Sequence, residues 1–303
     1  MGSAASTDDW SFGGTWPYEP RWLDADGVRL HYVDEGPRDG QPVVLLHGNP
    51  TWSYVYRRFV GALADAGHRA VAYDQMGFGR SDKPGRVDEY TIPRHVAQFT
   101  RLVDELGLDG VTLVGHDWGA VIALAWGVRQ PERVRRLVLL NSFTGSHPPW
   151  PPPLPLRMLY APGLGAVMTR GLRATIHTFL FRGGTLHPER LGPDERAAYL
   201  APHPDWRSRA GLRAAVRILP WNDRSSTPAV GREIDTGLPL LAGRPTLIAW
   251  GTGDRVISRR WLEHYRRNLP PAEVHELEDA GHFIQEDAHE RLVPLLLDFL
   301  RRT

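Results

Sequence analysis

Cysteine is absent from all 303 residues of the chain. A protein without cysteine has no disulfide framework, no thiolate nucleophile and no Cys-ligated metal centre. An excess of one charge is lacking as well, because 36 Lys and Arg stand against 35 Asp and Glu. Such a balance offers no phosphate-seeking surface, so we expect no nucleic-acid partner.

Long apolar runs are missing too. No stretch approaches the ~20 apolar residues of a membrane-spanning helix, and residues 1–9 lack the basic start and apolar centre of a secretory signal. We therefore expect a cytoplasmic protein with no membrane partner. Hydrophobic residues make up 42% of the chain, which is enough for a sizeable core in one or two domains. Nothing in the sequence distinguishes a monomer from a dimer.

Short apolar runs alternate with longer helical segments along most of the chain. This alternation predicts an α/β fold with a mostly parallel central sheet and helices on both faces. The predicted strands are Val28–Val33, Val43–Leu46, Ala70–Tyr73, Val111–Val114, Leu137–Leu140, Thr246–Trp250 and Glu273–Glu276. The predicted helices are Tyr54–Ala66, Arg94–Leu106, Ala120–Gln130, Arg260–Asn268 and Glu290–Arg301.

The alternation stops between about residues 143 and 236. Residues 147–155 contain six prolines, which predicts a stiff, polyproline-like connector. Residues 143–236 are therefore interpreted as a helical cap, inserted into a core of residues 1–142 and 237–303. The cap would cover the carboxyl ends of the strands, where open α/β sheets bind ligands. Its predicted helices are Leu172–Phe181, Pro193–Leu200 and Ser208–Leu219.

Residues 115–119 read Gly-His-Asp-Trp-Gly, between a predicted strand and a predicted helix. This is the context of a nucleophile elbow, in which the glycines allow a sharp turn. A carboxylate at the nucleophile position can attack a saturated carbon that bears a leaving group, giving an ester that water then hydrolyses. Asp117 could instead only cap the following helix, but capping does not need both glycines. We therefore predict that Asp117 is a nucleophile.

Hydrolysis of such an ester needs a base, and His282 follows the last predicted strand. Asp254 follows another strand and could orient the imidazole, although an Asx-turn would also explain it. The chain order nucleophile, acid, histidine is typical of elbow enzymes. The other place for an acid, after Leu137–Leu140, reads Asn141-Ser142 and has no carboxylate.

Donors for a leaving group follow another strand, in the segment His47–Trp52. The backbone N–H groups of Asn49 and Trp118 could form an oxyanion hole. Their side chains add an amide N–H and an indole N–H that can face a departing anion. Structural roles for both side chains are the alternative.

Several segments of the chain resemble haloalkane dehalogenases, from about Pro20 to the end: His47–Trp52, Tyr73–Pro84, Gly115–Gly119 and Ala280–Asp287. The resemblance implies an α/β-hydrolase fold, a small apolar organic substrate, water as second reactant, a halide product, and neither cofactor nor metal. It also implies Asp117 as nucleophile, His282 as base, Asp254 as acid, and Asn49 with Trp118 as halide ligands.

The same five residues resemble the third dehalogenase subfamily. Another subfamily takes its second halide ligand from a lid Trp, but here His187 falls near that place, which favours Asn49. The segments Tyr199–Trp206 and Arg213–Pro220 also resemble β-lactone decarboxylases of olefin synthesis, which share the five residues. Epoxide hydrolases, with Tyr160 or Tyr199 as acid, and a non-catalytic binding protein are further alternatives.

Overall fold

The computed structural model describes residues 9–148, 151–152, 154–221 and 224–303. Its strands are β1 Arg21–Ala25, β2 Val28–Glu35, β3 Pro42–Leu46, β4 Arg69–Tyr73, β5 Val111–Asp117, β6 Val134–Ser142, β7 Thr246–Gly251 and β8 Glu273–Leu277. They form an eight-stranded sheet in the order β1-β2-β4-β3-β5-β6-β7-β8. The pairs β1–β2 and β2–β4 are antiparallel and the others are parallel, which confirms the predicted mostly parallel sheet.

The helices are α1 Arg57–Asp65, α2 Ile92–Glu105, α3 Trp118–Arg129, α4 Leu154–Tyr160, α5 Leu164–Ala166, α6 Pro193–Leu200, α7 Ala210–Arg217, α8 Thr227–Gly237, α9 Arg260–Asn268, α10 Ile284–Asp287 and α11 His289–Arg302. Helices α1, α2, α3, α9 and α11 pack on strands of the sheet. Helix α1 packs against α11, and α3 packs against α2 and α8. Every residue of β5 is buried. Because successive strand side chains point to opposite faces, both faces of the sheet are covered, as predicted.

The sequence missed β1, and several element ends differ from the predicted ones. Strand β1 is a mostly exposed edge strand, so it carries no continuous apolar run that would reveal it. The predicted helix Tyr54–Ala66 begins as a 3₁₀ turn, Ser53–Tyr56, before α1. Strand β5 continues through Asp117 and α3 starts at the next residue, so no loop separates them.

The residues between β6 and β7, 143–245, are here called the insertion. The polyproline-like connector predicted for residues 147–155 was wrong at its end, because α4 begins at Leu154. Proline has no backbone N–H, but the N–H groups of the first helical turn have no partner within the helix. A proline at position 155, in the first turn of α4, is therefore compatible with that helix. Pro149, Trp150 and Pro153 lie outside the described residues.

Most of the predicted helix Leu172–Phe181 is a wide π-helical segment, Thr175–Gly184, and a second π-helical segment, Val167–Gly171, precedes it. Helix α6 has the predicted bounds, and α7 lies within the predicted Ser208–Leu219. The sequence did not predict α8, which packs on α3. The predicted boundary between residues 236 and 237 falls at the end of α8, and the division into core and cap stays a prediction.

Within the described ranges, no helix combines the length and the apolar character that crossing a bilayer requires.

Candidate functional site

The turn from β5 to α3 is built around Asp117, whose φ of 52° and ψ of −122° are unusual for a residue other than glycine. Both neighbouring glycines are required by close contacts. A Cβ on Gly115 would lie 2.5 Å from the Cα of Ala120, and one on Gly119 would lie 2.0 Å from the carbonyl oxygen of Leu46. The turn therefore presses its backbone against both α3 and β3.

Substituting alanine in α3 should have opposite effects at two of its glycines. Gly119→Ala should lower the free energy of unfolding by about 3 kcal/mol, because its Cβ meets backbone that cannot move aside. Gly127→Ala should raise it by about 0.5–1 kcal/mol, since its Cβ has only ordinary contacts, at 3.4 Å and beyond. Urea denaturation of both variants checks this, and equal effects would contradict the close approach.

The Asp117 carboxylate lies where two chain segments meet. Its Oδ1 accepts a hydrogen bond from the backbone N–H of Asn49 at 2.9 Å, and the N–H of Trp118 also donates to the carboxylate. Gly48 permits this approach, because a Cβ there would lie 2.4 Å from that of Asp117. The sequence did not point to Gly48. The two N–H groups are those predicted for the oxyanion hole, and they stand beside an oxygen that can carry negative charge.

His282 lies between the two carboxylates. Its Nε2 is 3.8 Å from Asp117 Oδ2, and its Nδ1–H donates to Asp254 Oδ2 at 2.9 Å. Asp254 is held in turn by the N–H groups of Val256 and Ile257, which donate to its Oδ1 at 2.6 and 2.9 Å. The Nε2 of His282 has no hydrogen-bond partner among the described residues. This arrangement can take a proton from a water molecule that attacks at Asp117.

Two residues that the sequence did not identify hold this set in place. Asn141 Nδ2 donates to Asp254 Oδ2 at 2.7 Å and its Oδ1 accepts from the N–H of Gly251, also at 2.7 Å. His116 Nε2–H donates to the carbonyl oxygen of His282 at 2.9 Å. The place of Asn141 directly after a predicted strand is the sequence signal that points to it, although its side chain is not the carboxylate expected of an acid.

A cavity of about 410 Å³ opens onto the nucleophile. All five predicted site residues, Asn49, Asp117, Trp118, Asp254 and His282, line it. Most of the remaining wall is apolar and comes from both core and insertion, and it includes Phe143, Leu156, Leu159, Phe179, Ala215, Val216, Leu219, Trp261 and Phe283. Thr175, Arg255, Ser258 and Arg260 add polar groups to this wall. A small apolar molecule can therefore lie against the carboxylate, away from bulk water.

The model of the alpha/beta hydrolase fold family matches residues 41–289. The chain belongs to this family. A cis-3-alkyl-4-alkyloxetan-2-one decarboxylase of Shewanella oneidensis is 37% identical over 292 residues, which are 95% of the chain and 90% of that protein. A haloalkane dehalogenase of Mycolicibacterium paratuberculosis is 34% identical over 291 residues, covering 94% of the chain and 93% of that protein.

Among solved α/β-hydrolase structures, the haloalkane dehalogenase DatA from Agrobacterium tumefaciens C58 superposes with a TM-score of 0.84 at 29% identity, covering 96% of this chain and 99% of that one. The tetrameric haloalkane dehalogenase DpaA from Paraglaciecola agarilytica superposes with a TM-score of 0.77 at 27% identity, covering 93% and 92%. The predicted resemblance to haloalkane dehalogenases and β-lactone decarboxylases is confirmed.

Charge is distributed in this α/β-hydrolase site by burial and by pairing. Burial raises the pKa of Asp117, against the opposing effects of His282 and the two backbone N–H groups. Burial alone would lower the pKa of His282, but the attraction and hydrogen bond of Asp254, together with the attraction of Asp117, raise it above its ordinary value. Burial holds the pKa of His116 well below its usual range, so this imidazole is neutral. Its Nε2–H is already bonded to the carbonyl oxygen of His282.

The two tyrosines that an epoxide hydrolase would need as acids have other partners. The Tyr160 hydroxyl donates to the carbonyl oxygen of Leu219 at 2.8 Å, and the Tyr199 hydroxyl donates to Glu286. Neither residue lines the cavity. His187, the residue near the lid tryptophan position of one dehalogenase subfamily, also lies outside the cavity lining and contacts Glu189. These positions disfavour epoxide opening and leave Asn49 with Trp118 as the candidate anion ligands.

No group of three or more His, Asp or Glu side chains suited to hold a metal ion occurs in the described part of the chain. The absence of a cofactor stays a prediction.

Proposed function

We propose that the protein hydrolyses carbon–halogen bonds of small apolar haloalkanes. The observation that carries the proposal is the approach of His282 Nε2 to Asp117 Oδ2, 3.8 Å apart, at the wall of an apolar cavity that Asn49 and Trp118 also line. In the first step Asp117 attacks the carbon that bears the halogen. A C–O bond forms, the C–X bond breaks, and the halide leaves with the bonding electrons, stabilised by the side-chain N–H groups of Asn49 and Trp118.

In the second step water attacks the carbonyl carbon of the Asp117 ester. His282 Nε2 takes the proton from that water, and Asp254 stabilises the imidazolium that forms. The backbone N–H groups of Asn49 and Trp118 hold the negative charge that develops on the carbonyl oxygen. Breakdown of the tetrahedral intermediate expels the alkoxide, which takes a proton from the His282 imidazolium and leaves as the alcohol. The carboxylic acid that remains loses its proton to solvent, and this restores the Asp117 carboxylate. Residues 143–236 would act as the cap that keeps bulk water out, and we expect the protein to work in the cytoplasm.

β-Lactone decarboxylation is a second candidate, because two decarboxylases with that specificity in their names are 37% and 35% identical to the chain over nearly its whole length. A lactone ring is strained and could be attacked by Asp117, and two alkyl groups suit the apolar cavity wall. The five site residues serve either substrate, so their arrangement does not separate the two reactions.

A two-substrate assay on one preparation tests the choice. We expect halide release from a panel of bromo- and chloroalkanes to exceed alkene formation from a cis-3,4-dialkyl-oxetan-2-one in kcat/KM. Asp117→Asn, assayed with both substrates, controls for background reactions. Alkene formation without halide release from any haloalkane would overturn the dehalogenase proposal in favour of the decarboxylase.

The second step should slow as the pH falls, because only neutral His282 can accept a proton from water. The pKa of free His282 is raised by the charges of Asp254 and Asp117, and esterification removes the charge of Asp117. The pKa that governs ester hydrolysis should therefore lie below the pKa of His282 in the free protein. Single-turnover decay of the ester should fall about tenfold per pH unit below that value. Decay that does not slow at any pH at which the protein remains folded would argue against His282 as base.

A further inference from the structure

The loop that carries His282 is bonded to the insertion through its backbone. The carbonyl oxygen of Gly184, at the end of the π-helical segment Thr175–Gly184, accepts the N–H of His282 at 2.6 Å and that of Phe283 at 3.2 Å. The proposed base therefore takes its backbone position partly from the insertion and not from the sheet alone.

A second set of bonds runs in the opposite direction, from the insertion to Asp287. This carboxylate lies at the end of α10 and is only 1% exposed. Its Oδ1 accepts the N–H of His187 at 3.0 Å, and its Oδ2 accepts the N–H of Leu186 at 3.0 Å. The same Oδ2 accepts the N–H of Gly281 at 2.8 Å, immediately before His282. One buried carboxylate thus joins the insertion to the loop of the base.

The two segments also meet too closely to slide past each other. A Cβ on Gly281 would lie 2.4 Å from the carbonyl oxygen of Gly184, and one on Gly184 would lie 2.5 Å from the ring of Phe283. Because the two backbones are in contact, no empty space between them can absorb a displacement. A change in the hydrogen bonds of Asp287 therefore moves the loop of His282.

We propose that Asp287 is a positioning residue for His282, which it acts on by clamping residues 184–187 of the insertion to residues 281–283. The inference rests on the proposed two-step reaction. Attack by Asp117 does not use His282, whereas hydrolysis of the ester does. A loosened clamp should therefore slow the second step selectively, whereas a general loss of stability would affect both steps.

Asp287→Asn tests the clamp with an isosteric change. An amide keeps one acceptor oxygen and turns the other into an N–H₂ donor, which then faces either the Gly281 N–H or the His187 N–H. We expect decay of the alkyl-enzyme ester to slow about 10- to 100-fold, because a small misplacement of a reacting group has that cost. The first step should keep its rate within about twofold, so the ester accumulates at steady state and is seen in the intact mass of the protein.

Asp34→Asn is the matched control. Asp34 is also a buried carboxylate, and it lies in β2, near the other edge of the sheet. It accepts hydrogen bonds from the Arg69 guanidinium at 2.9 and 3.0 Å. Asp34→Asn should lower the free energy of unfolding, but it should not make the alkyl-enzyme ester accumulate. Equal slowing of both steps in Asp287→Asn, or the same ratio of steps in the two variants, would overturn the proposal.

Arg190→Met extends the test if Asp287→Asn does not fold. Arg190 is partly exposed and donates to the backbone carbonyl oxygen of Asp287 at 2.7 Å, so its removal loosens the clamp from outside. We expect Arg190→Met to accumulate ester as well, but less of it than Asp287→Asn. An Arg190→Met protein that accumulates no ester would overturn the proposal. His282→Gln separates failure of the clamp from failure of the proposed reaction. If His282→Gln traps no ester, the proposed reaction is wrong. If His282→Gln traps ester but the Asp287 and Arg190 variants do not accumulate it, only the clamp is wrong.

Discussion

Replacing Asp117 by asparagine should lower the rate of halide release by ~10⁴-fold or more, with every haloalkane that the protein accepts. The neutral amide is a far weaker nucleophile than the carboxylate, so no covalent ester forms. The fold should survive, because the carbonyl oxygen of an amide can still accept the hydrogen bond that Asn49 N–H makes to Oδ1.

Chloride or bromide release, followed with and without the substitution on the same substrate panel, measures this effect. Circular dichroism and thermal unfolding of the variant show whether the fold is kept. Turnover above about one-hundredth of the wild-type rate in a folded Asp117→Asn protein would contradict the role of this carboxylate as nucleophile.

His282→Gln should stop the reaction after one step. Attack by Asp117 needs no base, so each protein molecule should release one halide ion. Hydrolysis of the ester should then slow by ~10²–10⁴-fold, because nothing takes the proton from the water. The intact mass should increase by one alkyl group in place of a proton, and peptide mapping should find that group on Asp117.

The matched control for this variant is His116→Gln, which changes a second buried histidine of the same site. His116 is neutral and its Nε2–H only bonds the carbonyl oxygen of His282, so this variant should still turn over repeatedly. A full equivalent of trapped ester in His116→Gln with none in His282→Gln would exchange the roles that we assign to the two histidines.

Much of the fold followed from local patterns. The apolar runs that became β3, β5, β6 and β7 are recognisable because a central parallel strand is buried on both faces. Strand β1 escaped detection because this edge strand exposes most of its residues to water. Helix α4 and the π-helical segments were misread because proline content and periodicity describe a segment alone, and the packing of the insertion over the core overrides both.

The candidate site divides in the same way. Asp117 was recognisable because strand, sharp turn and helix are contiguous, and the nucleophile lies at that turn with its two glycines. Asp254 and His282 were found from their places after strand ends. Asn141 follows a predicted strand as well, but its role depends on Asp254, which lies about a hundred residues further along the chain. Asp287 escaped because it joins Gly281 to His187, and His187 lies 100 residues earlier in the chain.

The sequence by itself therefore determined most strands and helices of the core, the mostly parallel character of the sheet and the carboxylate at the elbow, because these depend on residues that are neighbours in the chain. Only the tertiary structure decided which tyrosines reach the cavity, how far His282 lies from Asp117, and that the insertion holds the loop of the base through Gly184 and Asp287. The physical reason is that distances between segments are set by packing and hydrogen bonding across the whole core, which no local pattern contains.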